Sequence, residues 1–146
     1  MKICLVCSHG GHLSEILQLI DALEGHETFF ITYDSSRTRN LKRKYLLQNI
    51  GTNPWLMARA FVSTFRILLK EKPRLIISTG SEIAIPAFYL AKLLRIKTVF
   101  IESWTRVDRP TGTGRIVYPV SDLFFVQWER LLSKYGKKAK YEGAIL

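Results

Sequence analysis

Three polar segments carry the residue types that could do chemistry, and each follows a short apolar run. Ser8 to His12 reads Ser-His-Gly-Gly-His, Thr79 to Glu82 reads Thr-Gly-Ser-Glu, and Glu102 to Arg109 contains two acids and two arginines. Glycines let a ligand approach the backbone, while free N–H groups and arginine side chains bind phosphate oxygens. A histidine or a carboxylate can accept a proton from an attacking hydroxyl group. Together the segments are suited to binding a pyrophosphate and activating a hydroxyl beside it.

The glycine pair of the first segment does not match the common nucleotide-binding patterns. Ser8 and His9 stand where G-x-G-x-x-G has its first glycines, and the Gly-Lys-Ser/Thr ending of a P-loop does not follow. A tight turn without a ligand is therefore the alternative to a phosphate site. We predict no metal site, because His9 and His12 lack a third ligand at a suitable spacing. Ser8 also lacks the Gly-x-Ser-x-Gly context of a hydrolase nucleophile.

The elements that must position these segments alternate along the chain. Apolar, β-branched runs predict strands, with a last strand or tail, at 3–7, 27–33, 74–78, 97–102, 123–126 and 139–142. Helical spacing of apolar residues predicts helices at 12–23, 41–47, 55–70, 82–94 and 127–135. A long polar connection is predicted over 103–118.

This alternation predicts one α/β domain over residues 1–146, built on a mostly parallel sheet with helices on both faces. In such folds the ligand cleft lies at the carboxyl ends of the strands. All three polar segments leave carboxyl ends of predicted strands. We therefore expect them to converge on one cleft.

Charge and cysteine content limit the class of protein. The net charge is +10, from 22 Lys and Arg against 12 Asp and Glu, which favours a nucleic acid, a phosphorylated substrate or an anionic membrane as partner. The two cysteines, Cys4 and Cys7, should point to opposite faces of one strand, so we expect reduced core thiols and a cytosolic protein. No apolar stretch is long enough to span a membrane, and we expect a soluble or peripheral protein.

The helix predicted over 55–70 combines apolar and basic residues and contains no acid. Trp55 and Phe61 recur at near-helical intervals with Arg59 and Arg66. A helix of this kind can lie on a lipid surface, with its aromatic side chains in the interface and its cations on headgroup phosphates. We predict that these four residues face a membrane. The alternative is a helix packed on the sheet with a basic outer face.

Several motifs together resemble the acceptor-side subunit of split glycosyltransferases. This family includes the membrane-recruiting subunit of the dolichol-pathway UDP-N-acetylglucosamine transferase and the bacterial PssD or CpsF type of polysaccharide biosynthesis protein. A weaker likeness links the same motifs to the N-terminal half of MurG. The motifs that carry the resemblance are Ser8 to His12, Ile76 to Gly80, Phe100 to Val107, Thr113 to Arg115 and Tyr118 to Trp128.

The resemblance implies a Rossmann-like domain equivalent to the N-terminal half of a GT-B glycosyltransferase, inactive without a separate donor-binding subunit. That partner would bind most of the UDP-sugar, which is a substrate, so no cofactor is expected. The acceptor would be a polyprenyl-diphosphate-linked sugar. Eukaryotic members begin with a membrane anchor that this chain lacks, so we expect a peripheral protein on the cytoplasmic face of the membrane.

The resemblance also implies roles at the cleft. His12 is the leading candidate for the base that takes the hydroxyl proton, and Glu102 is the second. In the alternative interpretation His12 only begins a helix and Glu102 only holds the long connection. The residues predicted to bind the acceptor or line the cleft are Ser8, His9, Gly10, Gly11, Gly80, Ser81, Glu82, Ser103, Arg106 and Arg109.

Two other functions are compatible with parts of the sequence. The chain could be a non-catalytic module whose basic helices recruit a catalytic partner to the membrane. Nucleic-acid binding is indicated by charge alone, and we predict no nucleic-acid partner because the sequence has neither a known motif nor a stacking array of aromatic residues.

Overall fold

The computed structural model describes residues 1–145, which form seven parallel strands in one sheet with helices on both faces. The strands are β1 (Lys2–Val6), β2 (Glu27–Tyr33), β3 (Lys44–Leu47), β4 (Leu75–Ser78), β5 (Lys97–Ile101), β6 (Leu123–Val126) and β7 (Ala139–Tyr141). They lie in the order β3-β2-β1-β4-β5-β6-β7. This is the strand order of a doubly wound Rossmann-like sheet, so the predicted fold class is confirmed.

Four α-helices are present in the described residues: α1 (Gly11–Leu17), α2 (Pro54–Glu71), α3 (Ala84–Leu94) and α4 (Gly112–Val117). The side chains of Leu13 and Ile16 on α1 pack against one face of the sheet. The helices α2, α3 and α4 pack against the other face. The two faces therefore have separate apolar cores, as expected for buried parallel strands.

The two cysteines lie on opposite faces of the sheet at β1. Cys4 belongs to the core under α2 and α3, and Cys7 to the core under α1. Both thiols are free and buried. Burial raises the pKa of Cys7 to about 12, so this thiol stays protonated and unreactive.

The longest helix, α2, begins where its sequence signals predict. The Asn53 side chain accepts hydrogen bonds from the N–H groups of Trp55 and Leu56, at 2.9 and 3.4 Å, and Pro54 occupies the first helical position. The helix ends at Glu71, and the C-cap residue Lys72 has a φ of 50°, in the left-handed region. This helix returns the chain from β3 at the sheet edge to β4 on the other side of β1.

The prediction of a helix over 41–47 was wrong. Residues Lys44–Leu47 instead form the edge strand β3. This strand pairs in parallel with β2, with Tyr45 opposite Ile31. The Tyr45 ring packs on Phe29 at 5.9 Å, and its hydroxyl donates to Glu71. These tertiary contacts override the weak helical pattern of a short basic segment.

Three other segments differ from the prediction in the type of element that they form. The first helix ends at Leu17 and continues as turns and the 3-10 helix Asp21–Leu23, and 127–135 contains a 3-10 helix at Glu129–Lys134 instead of an α-helix. The predicted long connection contains α4, whose N-cap is Thr111: its side chain accepts a hydrogen bond from the Gly114 N–H at 2.8 Å. The sequence does not predict α4 because it contains two glycines, and glycine is unfavourable in the interior of a helix.

Candidate functional site at the carboxyl edge of the sheet

The strand order places the candidate site where the chain reverses its direction of winding, between β1 and β4. The segment after β1 contains His12, and the segment after β4 contains Thr79. The His12 Nδ1 atom lies 2.8 Å from the Thr79 carbonyl oxygen, and the Thr79 hydroxyl donates to the His12 carbonyl oxygen at 2.6 Å. Two reciprocal hydrogen bonds therefore lock the first two polar segments together.

This geometry selects the tautomer of His12. A carbonyl oxygen can only accept, so the hydrogen of the neutral imidazole lies on Nδ1 and the lone pair lies on Nε2. The side chain is half-buried and lines a surface cavity of about 180 Å³. An imidazole held in this way can act as a general base through Nε2.

The three predicted close-approach glycines differ in their surroundings. A Cβ atom added to Gly10 or Gly11 would meet no other atom within 4 Å, so the space beside both residues is open. A Cβ atom on Gly80 would lie 2.7 Å from the His12 ring, and Gly80 has a φ of +127°. The space beside Gly80 is thus occupied by His12, whereas that beside Gly10 and Gly11 is free for a ligand.

Glu102 lies at the end of β5 and is fully buried. Its carboxylate accepts hydrogen bonds from the backbone N–H groups of Ser103 and Thr111, both at 3.0 Å, and from the Thr111 and Tyr135 hydroxyls. Burial and the charge of Glu102 raise the pKa of Tyr135, which keeps this hydroxyl a donor. The carboxylate thereby ties the β5 segment to the start of α4.

Ser81 and Glu82 face a different set of residues from His12. The Glu82 carboxylate accepts from the Tyr33 hydroxyl at 2.9 Å, the Gly51 N–H at 3.2 Å and the Ser81 hydroxyl at 2.7 Å. Burial alone would raise the pKa of Glu82, but these hydrogen bonds lower it below its usual value. Glu82 thus connects the segment after β4 to β2 and to the loop before α2.

The remaining predicted residues are divided between the cavity and its surroundings. Ser103 and Arg106 line the cavity with His12, whereas Arg109 is exposed and is not part of its lining. The ring of His9 packs edge-on against Tyr33 at 6.2 Å. The complete lining is Gly11, His12, Glu15, Ser103, Thr105, Arg106 and Thr111.

Two residues at the site were not predicted from the sequence. Arg37 donates to the Gly10 carbonyl oxygen at 3.3 Å and to the Ser14 hydroxyl at 3.1 Å, so it lies over the first segment. Glu15 lines the cavity beside His12 and is only 4% exposed. Spacing could have indicated Glu15, because residues three apart on a helix share a face. Nothing in the sequence places Arg37, which reaches the site from the loop after β2.

Within residues 1–145, no three histidine, cysteine, aspartate or glutamate side chains are grouped closely enough to hold a metal ion. None of the helices in this range has the length and apolar character needed to cross a membrane.

The fold is a Rossmann-like domain of the kind found in GT-B glycosyltransferases. The crystal structure of Acinetobacter baumannii MurG is similar, with a TM-score of 0.81 at 17% identity over 99% of this chain and 45% of that one. UDP-GlcNAc 2-epimerase from Methanocaldococcus jannaschii, solved with UDP-GlcNAc and UDP, gives 0.78 at 19% identity over 99% of this chain and 47% of that one. The chain therefore spans about half the length of these structures, and the likeness concerns the fold.

Sequence comparison identifies the family, and the predicted resemblance is confirmed. Residues 36–145 match the family described as "Oligosaccharide biosynthesis protein Alg14 like", and the chain belongs to this family. The UDP-N-acetylglucosamine transferase subunit ALG14 of Saccharomyces cerevisiae is 26% identical over 183 residues, covering 100% of this chain and 77% of the relative. The human protein of the same name is 25% identical over 181 residues, covering 100% and 83%.

Proposed function

We propose that this chain is the acceptor-side subunit of a two-component glycosyltransferase, which moves a sugar from a UDP-sugar to a polyprenyl-diphosphate-linked acceptor. The observation that carries the proposal is His12, fixed by Thr79 with Nε2 free, beside the open space at Gly10 and Gly11. Family membership and the half-length match to GT-B structures support a cleft completed by a second subunit. That subunit would bind most of the UDP-sugar, and no cofactor is needed.

The proposed reaction uses His12 as the general base. The acceptor hydroxyl attacks the anomeric carbon of the UDP-sugar while Nε2 takes its proton. A new glycosidic C–O bond forms, the bond to the diphosphate breaks, and UDP leaves with the electron pair. The acceptor diphosphate would lie against Gly10 and Gly11, with Arg37 and Arg106 as its nearest cationic groups.

In this proposal Glu102 is a positioning residue and not the base. Its carboxylate is fully buried and already accepts hydrogen bonds from Ser103, Thr111 and Tyr135. Accepting a substrate proton would require breaking this network. Glu102 therefore holds the segment that carries Arg106, while His12 keeps the proton-accepting role.

A reconstitution assay tests the proposed function. The purified chain should transfer no sugar to a lipid-diphosphate acceptor, and transfer should appear when the donor-binding subunit is added. The expected reason is that half of the cleft, including the donor pocket, lies on the partner. The assay measures labelled sugar in the lipid fraction, with the partner alone as control. Robust transfer by the lone chain would contradict the two-component proposal.

We also propose that α2 binds an anionic membrane on the cytoplasmic face. Trp55 is 71% exposed and Val62 53% exposed, and Leu69 follows at the same interval of seven residues. This interval places the three on one helix face, with the exposed cations Arg59 and Arg66 beside them. Phe61, which was also predicted to face the membrane, is partly buried in the structure.

Vesicle sedimentation tests the membrane proposal. The chain should bind vesicles that contain anionic lipid, and high salt should weaken the binding because it screens headgroup contacts. Replacing both Arg59 and Arg66 with glutamate should lower the vesicle partition coefficient by about thirtyfold or more, since each basic residue near the surface contributes about 1 kcal/mol. The matched control replaces Lys137 and Lys140, two exposed lysines outside α2, with glutamate. Equal binding to neutral and anionic vesicles would exclude the electrostatic contribution.

A further inference from the structure

The carboxylate of Glu15 is buried and only half satisfied. Its Oε1 atom accepts from the Trp104 N–H at 2.7 Å and from the Ser103 hydroxyl at 3.3 Å. Its Oε2 atom is also buried, and among residues 1–145 it has no hydrogen-bond partner. Buried carboxylate oxygens are rarely left in this condition, because an uncompensated charge in the interior is costly.

A structural role explains only one of the two oxygens. Through Oε1, Glu15 connects α1 to the segment that follows β5. A glutamine would make the same contacts to Trp104 and Ser103 without a buried charge. Burial raises the pKa of Glu15, although the Trp104 N–H and the nearby His12 act in the opposite direction. The charge on this carboxyl therefore requires an explanation beyond loop attachment.

His12 is the partner that could compensate this charge. Glu15 follows it by three residues on α1, so their Cβ atoms are about 5–6 Å apart, and both side chains line the same cavity. Neutral His12 offers no positive charge to the carboxylate. Once Nε2 has taken a proton, the imidazolium and the carboxylate face the same cavity without a direct hydrogen bond between them, and the pair gains a through-space attraction that was absent before the transfer.

We propose that Glu15 is a positioning residue that supplies the counter-charge for the imidazolium of His12 during the reaction. This inference rests on the proposed function, in which His12 is the base. It assigns the free oxygen of Glu15 to stabilising charge that exists only after proton transfer, which is the kind of interaction that lowers a reaction barrier. In this role Glu15 acts through His12 and needs no contact of its own with the acceptor or the UDP-sugar.

Other charged groups also surround this pair. Arg106 from the segment after β5 lines the same cavity, and Glu102 lies buried at the end of β5. Arg37 approaches from the loop after β2, where it donates to Gly10 and Ser14. The two arginines oppose a positive charge on the imidazole, and Glu102 favours it. Removing the negative charge of Glu15 should therefore favour the neutral form of the His12 imidazole over the imidazolium.

The direct test is an NMR pH titration of the histidine rings in the full chain. In Glu15→Gln the titration of His12 should move to lower pH by about one unit, the size expected for loss of a nearby opposite charge. His26 is exposed and hydrogen-bonded to the N-terminus, so it serves as an internal control that should not move. Glu129→Gln is the matched variant, because it removes an exposed acid that lies far from both histidines in the sequence.

A second variant and two further measurements separate charge from structure. Glu15→Asp keeps the charge but shortens the side chain, so it should keep the His12 titration near that of the wild type even if the Trp104 contact weakens. In the reconstituted pair, Glu15→Gln should lower kcat about tenfold with little change in acceptor KM, and the acid limb of the pH profile of kcat should move to lower pH.

The free energy of unfolding gives a further readout. Burial raises the pKa of Glu15, so the stability of the wild type should fall as the pH rises from acidic to neutral. Glu15→Gln lacks this group, so its stability relative to the wild type should increase over the same pH range.

The outcomes distinguish this inference from the proposed function. An unchanged His12 titration in Glu15→Gln would overturn the counter-charge role, whatever the activity. If the wild-type pair transfers no sugar, the proposed function fails, and the titration still decides whether the two side chains are coupled. If His12 is needed for transfer but Glu15→Gln changes neither the titration nor the kcat profile, only the present inference fails.

Discussion

Replacing His12 with asparagine should reduce sugar transfer by the reconstituted pair by about a hundredfold to ten-thousandfold, the range typical for loss of a general base. Asparagine is chosen because its amide N–H₂ can still donate to the Thr79 carbonyl oxygen, which the His12 Nδ1 atom contacts at 2.8 Å. The variant therefore keeps the link between the first two segments. It lacks only the group that corresponds to Nε2.

The measurement is the initial rate of transfer, together with the unfolding midpoint of the variant chain. The loss should appear mainly in kcat, because the base acts in the transition state and contributes little to acceptor binding. His26→Asn is the control, since this exposed histidine contacts the N-terminus and not the cleft. Full activity of His12→Asn would favour the alternative in which the chain is a non-catalytic module that recruits its partner.

The sheet could be predicted from the sequence because most of its strands are short apolar runs, rich in β-branched or aromatic residues and bounded by turn residues. Such runs carry their structure locally, and their alternation with helices leaves few possible topologies. The edge strand β3 could not be predicted in this way. Its residues Lys44–Leu47 form a strand because β2 and α2 supply hydrogen bonds and contacts that lie far away in the sequence.

The candidate site shows the same division between local and distant information. Gly10, Gly11 and His12 are recognisable because they follow a strand directly. The tautomer of His12 depends on Thr79, 67 residues later, and the enclosure of Glu15 depends on Trp104, 89 residues later. Contacts between residues so far apart along the chain cannot be inferred from a single sequence. Glu15 consequently reads as an ordinary polar residue of an amphipathic helix.

The second prediction concerns Gly80, which should tolerate no side chain. In Gly80→Ala the new methyl group would lie 2.7 Å from the His12 ring, and alanine would have to adopt a φ of +127°. Backbone strain of this kind costs about 1–3 kcal/mol. The His12 ring must also move, which would displace Nε2. We expect a lower free energy of unfolding, measured by urea denaturation, and at least about a tenfold loss of transfer activity.

Gly11→Ala is the matched variant that separates ligand approach from internal packing. Gly11 begins α1 without a left-handed φ, and a Cβ atom there would meet no protein atom within 4 Å. The folded chain should therefore keep its stability or gain up to about 1 kcal/mol. If the acceptor diphosphate lies against this residue, activity should nevertheless fall, and the acceptor KM should rise. A stable and fully active Gly11→Ala variant would exclude close approach at Gly11, whereas the Gly80→Ala result would still report on the position of His12.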